Sequence, residues 1–374
     1  MCEPNMDSSP NPILLRVIPH SEVIADHEAV RTRQDTDAYS RSQRFNTADH
    51  TRDEILPIVP EPPNFTHSPP DWKLYSYILW QPLIAKSQHL TSSESVVSKL
   101  PNFLWDDLMR CYGAWLSGGK LSDALLEDVV EMWTSHPSGK ELKRLFDGQK
   151  KWFVRLAQMS PKDSPLEGAQ PSFTLRDVVA KVCSSMRAHG CLQREKEDAA
   201  KEHREMEIYI VVNKWDDDMD PAREFRVFVP PVLAANQQTT PPFPQGPTIH
   251  SQEPTISGIS QYAWHRPFQQ VLPNSTTLAA TAENIHSHAR EILNDMVDYA
   301  RDNFTDDVSY MLLRYGLTFD ICVKDTGDGV EVQLLEINPF GAMSVCGACL
   351  FHWIRDGRVL YGLEPAQFLV TTDP

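Results

Sequence analysis

The sequence lacks any run of apolar residues long enough to cross a bilayer, so no membrane-spanning helix is expected. Its first residues, MCEPNMDSSP, lack the basic start and apolar stretch of a secretory signal. Basic residues are in deficit: 35 Lys and Arg stand against 51 Asp and Glu, a formal net charge of -16. A general grip on nucleic acid needs a basic surface to neutralise phosphates, so direct nucleic-acid binding is not expected. A local nucleotide site is still compatible with this charge, because a few cations and a metal ion suffice for a triphosphate. Cysteine is scarce and unpaired in pattern. The seven thiols are irregularly spaced, which excludes a disulfide framework and predicts reduced cysteines in a cytosolic or nuclear setting. No internal repeat and no Ser/His/Asp constellation stands out. Only one CxxC exists, Cys346 to Cys349, whereas a structural zinc site needs two further soft ligands; small core residues are the better reading.

What is present is a substantial apolar fraction, 41% of 374 residues, enough for one large domain or lobes about a cleft. Residues 1–70 mix Pro, Ser, Asp, His and Arg with little periodicity and end in PEPPNFTHSPP, so they are predicted to be largely disordered. Within them, the apolar piece Ile13 to Ile18 has the pattern of a strand that docks on the body. The folded region is expected over 71–374, beginning near Trp72, with a lobe boundary near 205–215. A mobile Pro/Gln/Thr-rich insertion is expected at about 230–254.

LPNFLWDDLMRCYGAWL and LSDALLEDVVEMWTSH place apolar residues three or four apart, with Ser122 and Asp123 at a capping position. KWFVRL, EIYIVVNKW, REFRVFV and ISGISQYAW read as strands, and FTLRDVVAKVCSSMRAHGCL as an amphipathic helix. TAENIHSHAREILNDMVDYAR reads as a helix with Thr281 as its cap. YGLTFDICVKD and VEVQLLEIN form a β-hairpin around Thr-Gly-Asp-Gly. Alternating helices and strands with antiparallel pairing predict an α+β architecture.

The strongest chemical constellation is Asp320 with Glu336 and Asn338. Glu336 and Asn338 are two apart on a strand and share a face. Asp320 joins them only if it pairs with Glu336, which requires an odd loop or a bulge at Gly327 or Gly329. A plain two-residue turn would pair 320 with 335 and turn Asp320 away. Two carboxylates and an amide oxygen on one sheet face suit magnesium, a hard cation commonly shared with substrate phosphates. Arg155, Lys162, Lys214 and Arg226 lie in strands, at strand ends or in a strand-flanking loop, where cations are candidates for contacts with phosphate oxygens; any one alone is more often a surface ion-pair residue, and it is the set of four that is suggestive. The run Asp216-Asp217-Asp218 reads as a solvated loop, and His286 and His288, two apart on a helix, are poor co-ligands.

FDICV followed by LLEINPFG and then LFHW resembles the C-terminal signature of the cell-division-cycle-123 family. KWDDDMDPAREFRVFV, ISQY and FVRLAQMSPKDSP resemble three further segments of that family, in the same order, from about Trp152 to Trp353. The resemblance implies an ATP-grasp-like fold, two lobes with antiparallel sheets around a nucleotide cleft. It also implies binding of ATP with magnesium and an assembly factor or chaperone for eukaryotic translation initiation factor 2, through its gamma subunit; apart from the resemblance, a cytoplasmic monomer is expected. By the same resemblance, Asp320, Glu336 and Asn338 hold the metal and Arg226 touches the phosphates. Lys214 and Trp215 line the pocket, and Arg155, Ser160 and Asp163 belong to a nucleotide-covering strand and loop. Four positions depart from the pattern. Arg155 replaces a lysine, Asn213 and Tyr262 replace arginines, and Glu336 replaces an aspartate. Two alternatives stand beside this reading: an ATP-grasp ligase that forms an acyl phosphate, and a degenerate ATP-grasp module that binds protein alone. ATP turnover is left open.

Overall fold

The computed structural model describes residues 12–32, 53, 57–58, 72–166, 170–232, 253–268, 277–325, 330–342, 344 and 346–373. Most of the segment 1–70, most of the insertion expected at 230–254 and the Thr-Gly-Asp-Gly turn lie outside the described residues. The fold is α+β, with nine strands in two sheets among the described residues. The strands are β1 (Leu14–Pro19), β2 (Ser95–Lys99), β3 (Trp152–Leu156), β4 (Tyr209–Lys214), β5 (Glu224–Val229), β6 (Gly258–Gln261), β7 (Leu317–Asp325), β8 (Val330–Pro339) and β9 (Gln367–Thr372). The helices are α1 (His20–Thr32), α2 (Tyr77–Ser87), α3 (Phe103–Gly118), α4 (Asp123–Ser135), α5 (Pro137–Leu145), α6 (Leu175–Ser184), α7 (Met186–Glu202), α8 (Leu278–Asn303), α9 (Asp306–Tyr315) and the single turn α10 (Gly357–Leu360). None of the described helices is long and apolar enough to cross a membrane.

The chain divides into two compact units, one of residues 1–74 with 218–374 and the other of residues 75–217. The second unit holds the three-stranded antiparallel sheet in the order β2-β4-β3. The β-branched run YIVVNK makes β4 its central strand, with Ile210, Val211 and Val212 fully buried. Helices α3, α4 and α6 pack together in one core with Val154 and Val212, centred on Leu104, Val129, Trp133 and Val179. FTLRDVVAKVCSSMRAHGCL contains two helices, because Ser185 is extended and its hydroxyl caps α7 at Ala188 N, 3.0 Å away. Thr174 and Asp177 close a capping box at the start of α6, which fixes where that helix begins.

The first unit holds a six-stranded sheet in the order β1-β9-β6-β5-β7-β8. From β6 to β8 the pairings are antiparallel, as expected, whereas β1, β9 and β6 run parallel. The strand read at Ile13 to Ile18 exists, and it forms the sheet edge beside β9. Its outer residues Leu14 and Val17 are exposed, while Ile18 is buried with Val23 of α1. One sheet face carries an aromatic cluster. Phe228 meets Phe351 and Trp353 edge-on at 5.4 and 5.6 Å, and Phe340 meets Trp353 at 5.0 Å. Each such pair contributes about 0.5–1.5 kcal/mol beyond its buried area. Gly258 permits the approach: a Cβ there would lie 2.8 Å from the Phe351 ring.

Helix α8 packs along β8, and its Ile285, Ala289, Leu293 and Met296 are buried on one face at helical spacing. Its cap is Thr277, whose hydroxyl accepts from Ala280 N at 3.1 Å; Thr281, the residue expected there, lies a turn inside. The helix also buries His286, 7% exposed, while His288 sits on a wetter face. Burial pulls the His286 imidazole below its ordinary value of 6.5, and Glu283, 3.9 Å away, opposes this only in part. The unfolded chain takes up this proton near its ordinary value while the folded chain resists it. Stability that is full above pH 6.5 therefore falls as the pH drops below it. Urea denaturation at pH 7.5 and 5.5 is expected to show a lower midpoint at pH 5.5, and a smaller difference in His286→Gln.

Candidate functional site

Side chains alternate across a strand, so the pairing registers define which residues share a face. One row crosses five strands of the larger sheet: Leu369 on β9, Ser260 on β6, Arg226 on β5, Asp320 on β7 and Glu336 on β8. The next row on the same face contains Phe228, Thr318 and Asn338. The registers thus bring Arg226, Asp320, Glu336 and Asn338 onto one face, in the pairing of Asp320 with Glu336 that the sequence left open.

The route to that register differs from the two devices considered for the turn. From Asp325↔Val330 to Ile321↔Leu334 the hairpin follows the register of an even loop, which by itself would place Leu335 opposite Asp320. An irregularity between Asp320 and Ile321 inserts Leu335 as an extra residue on β8 and brings Glu336 opposite Asp320. The bulge therefore lies in LLEIN, beside the carboxylates, and it re-aims Glu336.

Asp320 is completely buried and Arg226 is 5% exposed. Arg226 grips Asp320 with two parallel bonds: Nε donates to Oδ1 at 2.8 Å and Nη2 to Oδ2 at 2.7 Å. Its Nη1 donates to the Gly347 carbonyl at 2.9 Å, and the Tyr262 ring centroid lies 5.1 Å from the guanidinium carbon. Burial disfavours the charged guanidinium, but the Asp320 carboxylate outweighs it, and the Arg226 pKa is held well above its usual value. The Asn338 amide nitrogen reaches Asp320 Oδ2 and Glu336 Oε1, each at 3.3 Å. Turned over, the same amide would present its oxygen to a cation between the two carboxylates.

Oxygen chemistry on this face extends past the three residues chosen from sequence. Four buried side-chain oxygens of this unit have no hydrogen-bond partner among the described residues: Thr318 Oγ1, Gln333 Oε1, Gln367 Oε1 and Thr371 Oγ1. All four share the face of Asp320 by register, since Gln333 pairs with Cys322 while Gln367 and Thr371 alternate with Leu369. A buried polar atom without a partner costs about 1–3 kcal/mol. Gln367 and Thr371 stand on β9, three strands from Asp320, so of the four only Thr318 and Gln333 lie on β7 and β8 beside the carboxylates. The donor set is oxygen only and includes two carboxylates and an amide, which fits magnesium. No cluster of three or more His, Cys, Asp or Glu is placed to hold a metal among the described residues, so any cation here depends on neutral oxygens and its own ligands as well. Cys346 and Cys349 lie close by, and burial pushes both thiols up to about 12, so neither is a ready nucleophile at neutral pH.

The remaining expected site residues lie in the other unit and hold its own structure. Arg155 is buried, with its guanidinium carbon 4.5 Å from the Tyr77 ring centroid. Asp163 Oδ2 accepts from Arg187 N at 3.1 Å in the first turn of α7, and the Ser160 carbonyl accepts from Arg187 Nε at 3.1 Å. Lys214 is exposed and pairs with Glu94 at 2.7 Å, and with the Thr91 amide this holds Glu94 down at about 2. Trp215 N donates to Lys151 O at 3.0 Å. Asn213 is buried with both ends of its amide used, accepting from Ser95 Oγ and donating to Tyr77 Oη, each at 2.7 Å.

Sequence reasoning noted Tyr262 only as a replaced arginine and passed over Gly347, Thr318 and Gln333. Strand alternation from Asp320 would have found Thr318. No local signal marks Gly347, whose contact with Arg226 spans 121 positions.

No protein family matches the chain, and no curated protein matches it. Among solved structures it is similar to Cdc123 from Schizosaccharomyces pombe, at 16% identity and a TM-score of 0.46 over 81% of this chain and 96% of that chain. A C-terminally truncated Cdc123 from the same organism gives 16% identity and a TM-score of 0.47 over the same shares.

Proposed function

We propose that the sheet face around Arg226 binds ATP through its phosphates together with magnesium. The observation that carries this reading is the Leu335 bulge, which departs from the hairpin's own register to set Glu336 opposite Asp320 and beside Asn338. Magnesium held there would supply positive charge that offsets the charge of the phosphates. Asp320 and Glu336 would hold it, with Asn338 turned to offer its oxygen. Arg226 keeps its charge in this buried setting, and its planar fork suits a phosphate as well as the carboxylate it now grips.

We infer further that the protein serves as an assembly factor for the gamma subunit of eukaryotic translation initiation factor 2. This rests on the ordered sequence resemblance from Trp152 to Trp353. Titration of ATP into the full chain, with and without magnesium, tests the site: binding that requires magnesium is expected. Purified gamma subunit added to the same sample tests the partner, and a complex of defined stoichiometry is expected. Production of ADP or AMP with an acceptor would point instead to the ligase alternative. A second reading has its own support. The closed Arg226–Asp320 pair and the committed amide of Asn213 are what a fold retained for protein contacts alone would keep. Gamma-subunit binding that ignores ATP and magnesium would favour it.

A further inference from the structure

We infer that Thr318 is a positioning residue of the same site, its hydroxyl holding a water carried by the bound cation. This rests on the magnesium–ATP reading above and adds to it a residue that neither the motif nor the ion pair marks out.

Thr318 lies on β7 two residues before Asp320, on the same face, between Phe228 of β5 and Asn338 of β8. Its residue is completely buried, and its hydroxyl finds no partner among the described residues. A strand interior has no need of a hydroxyl. Valine has the same shape, fits a pleated strand at least as well and removes the orphaned group. Thr318 caps no helix and sits in no turn, which are the usual structural uses of its hydroxyl. The neighbouring oxygens point the same way. Asn338, directly across the strand pair, reaches Asp320 and Glu336, and Thr318 shares their sheet face one row away. Magnesium gives up its hydration waters reluctantly, and outer-shell hydrogen bonds to such waters orient the ion.

The experiment compares the wild type, Thr318→Val and Thr318→Ser as full-length chains. Two quantities are read: the Tm of the free protein and the dissociation constant for ATP with magnesium. Removing an orphaned hydroxyl is expected to raise the Tm of Thr318→Val by about 2 °C. Its affinity is expected to fall about tenfold, and Thr318→Ser is expected to bind nearly as the wild type does. A lowered Tm in Thr318→Val would overturn the inference by showing that the hydroxyl serves the fold. Wild-type affinity in Thr318→Val would overturn it while leaving the magnesium–ATP site standing. A wild type that binds no ATP with magnesium would remove both.

Discussion

Arg226→Ala is expected to destabilise the protein by about 3–5 kcal/mol, the cost of leaving a fully buried carboxylate without its partner. Three contacts go at once: the two-pronged grip on Asp320, the tie to the Gly347 carbonyl and the stack on Tyr262. The pair as a whole is a different matter. Both ions lost water to enter the sheet, so replacing both with apolar residues of similar volume is often neutral. Arg226→Met with Asp320→Leu is therefore expected to regain most of the stability lost in Arg226→Ala. A double-mutant cycle in urea, with Arg226→Met and Asp320→Leu as its single-variant corners, measures this coupling. The double variant is expected to bind no ATP with magnesium, which would show that the pair is kept for chemistry rather than for stability.

Glu336→Gln is expected to lose far more affinity for ATP with magnesium than the roughly 10–100-fold that follows loss of an outer-shell partner. Glu336 is only partly buried, and the substitution keeps its size and shape, so the fold is expected to tolerate the change. Calorimetric titration, with far-UV circular dichroism to confirm folding, checks both halves. Unchanged affinity would mean that the bulge aims Glu336 at something other than a cation.

The sequence was most legible where one element declares itself locally. IYIVVNK and EFRVFV became β4 and β5 because β-branched and aromatic residues fill buried strands, and the two helices flanking Ser122 followed their apolar spacing. It was less legible where a choice depends on tertiary neighbours. Ser185 breaks the expected long helix because its hydroxyl and the Asp163 carboxylate together cap the first turn of α7, accepting from Ala188 N and Arg187 N, while Ser185 also donates to Asp163. Thr277 rather than Thr281 caps α8, because the Thr277 hydroxyl accepts from Ala280 N and the helix starts a turn earlier. The Asp320–Glu336 pairing could be posed from sequence as a parity question, but its answer could not be read. A bulge at Leu335, inside an apolar run without glycine, leaves no local signature. Likewise the parallel join of β1 to β9 connects residues some 350 positions apart, beyond any window of periodicity.

The most direct test of the central claim is titration of ATP into the full-length wild type with magnesium present and then with it chelated, alongside Glu336→Gln under both conditions. Binding by the wild type that requires magnesium and is lost in Glu336→Gln is the predicted result. Binding equal in both proteins, or absent from the wild type, would contradict it and leave the sheet face of Arg226 and Asp320 as a structural core alone.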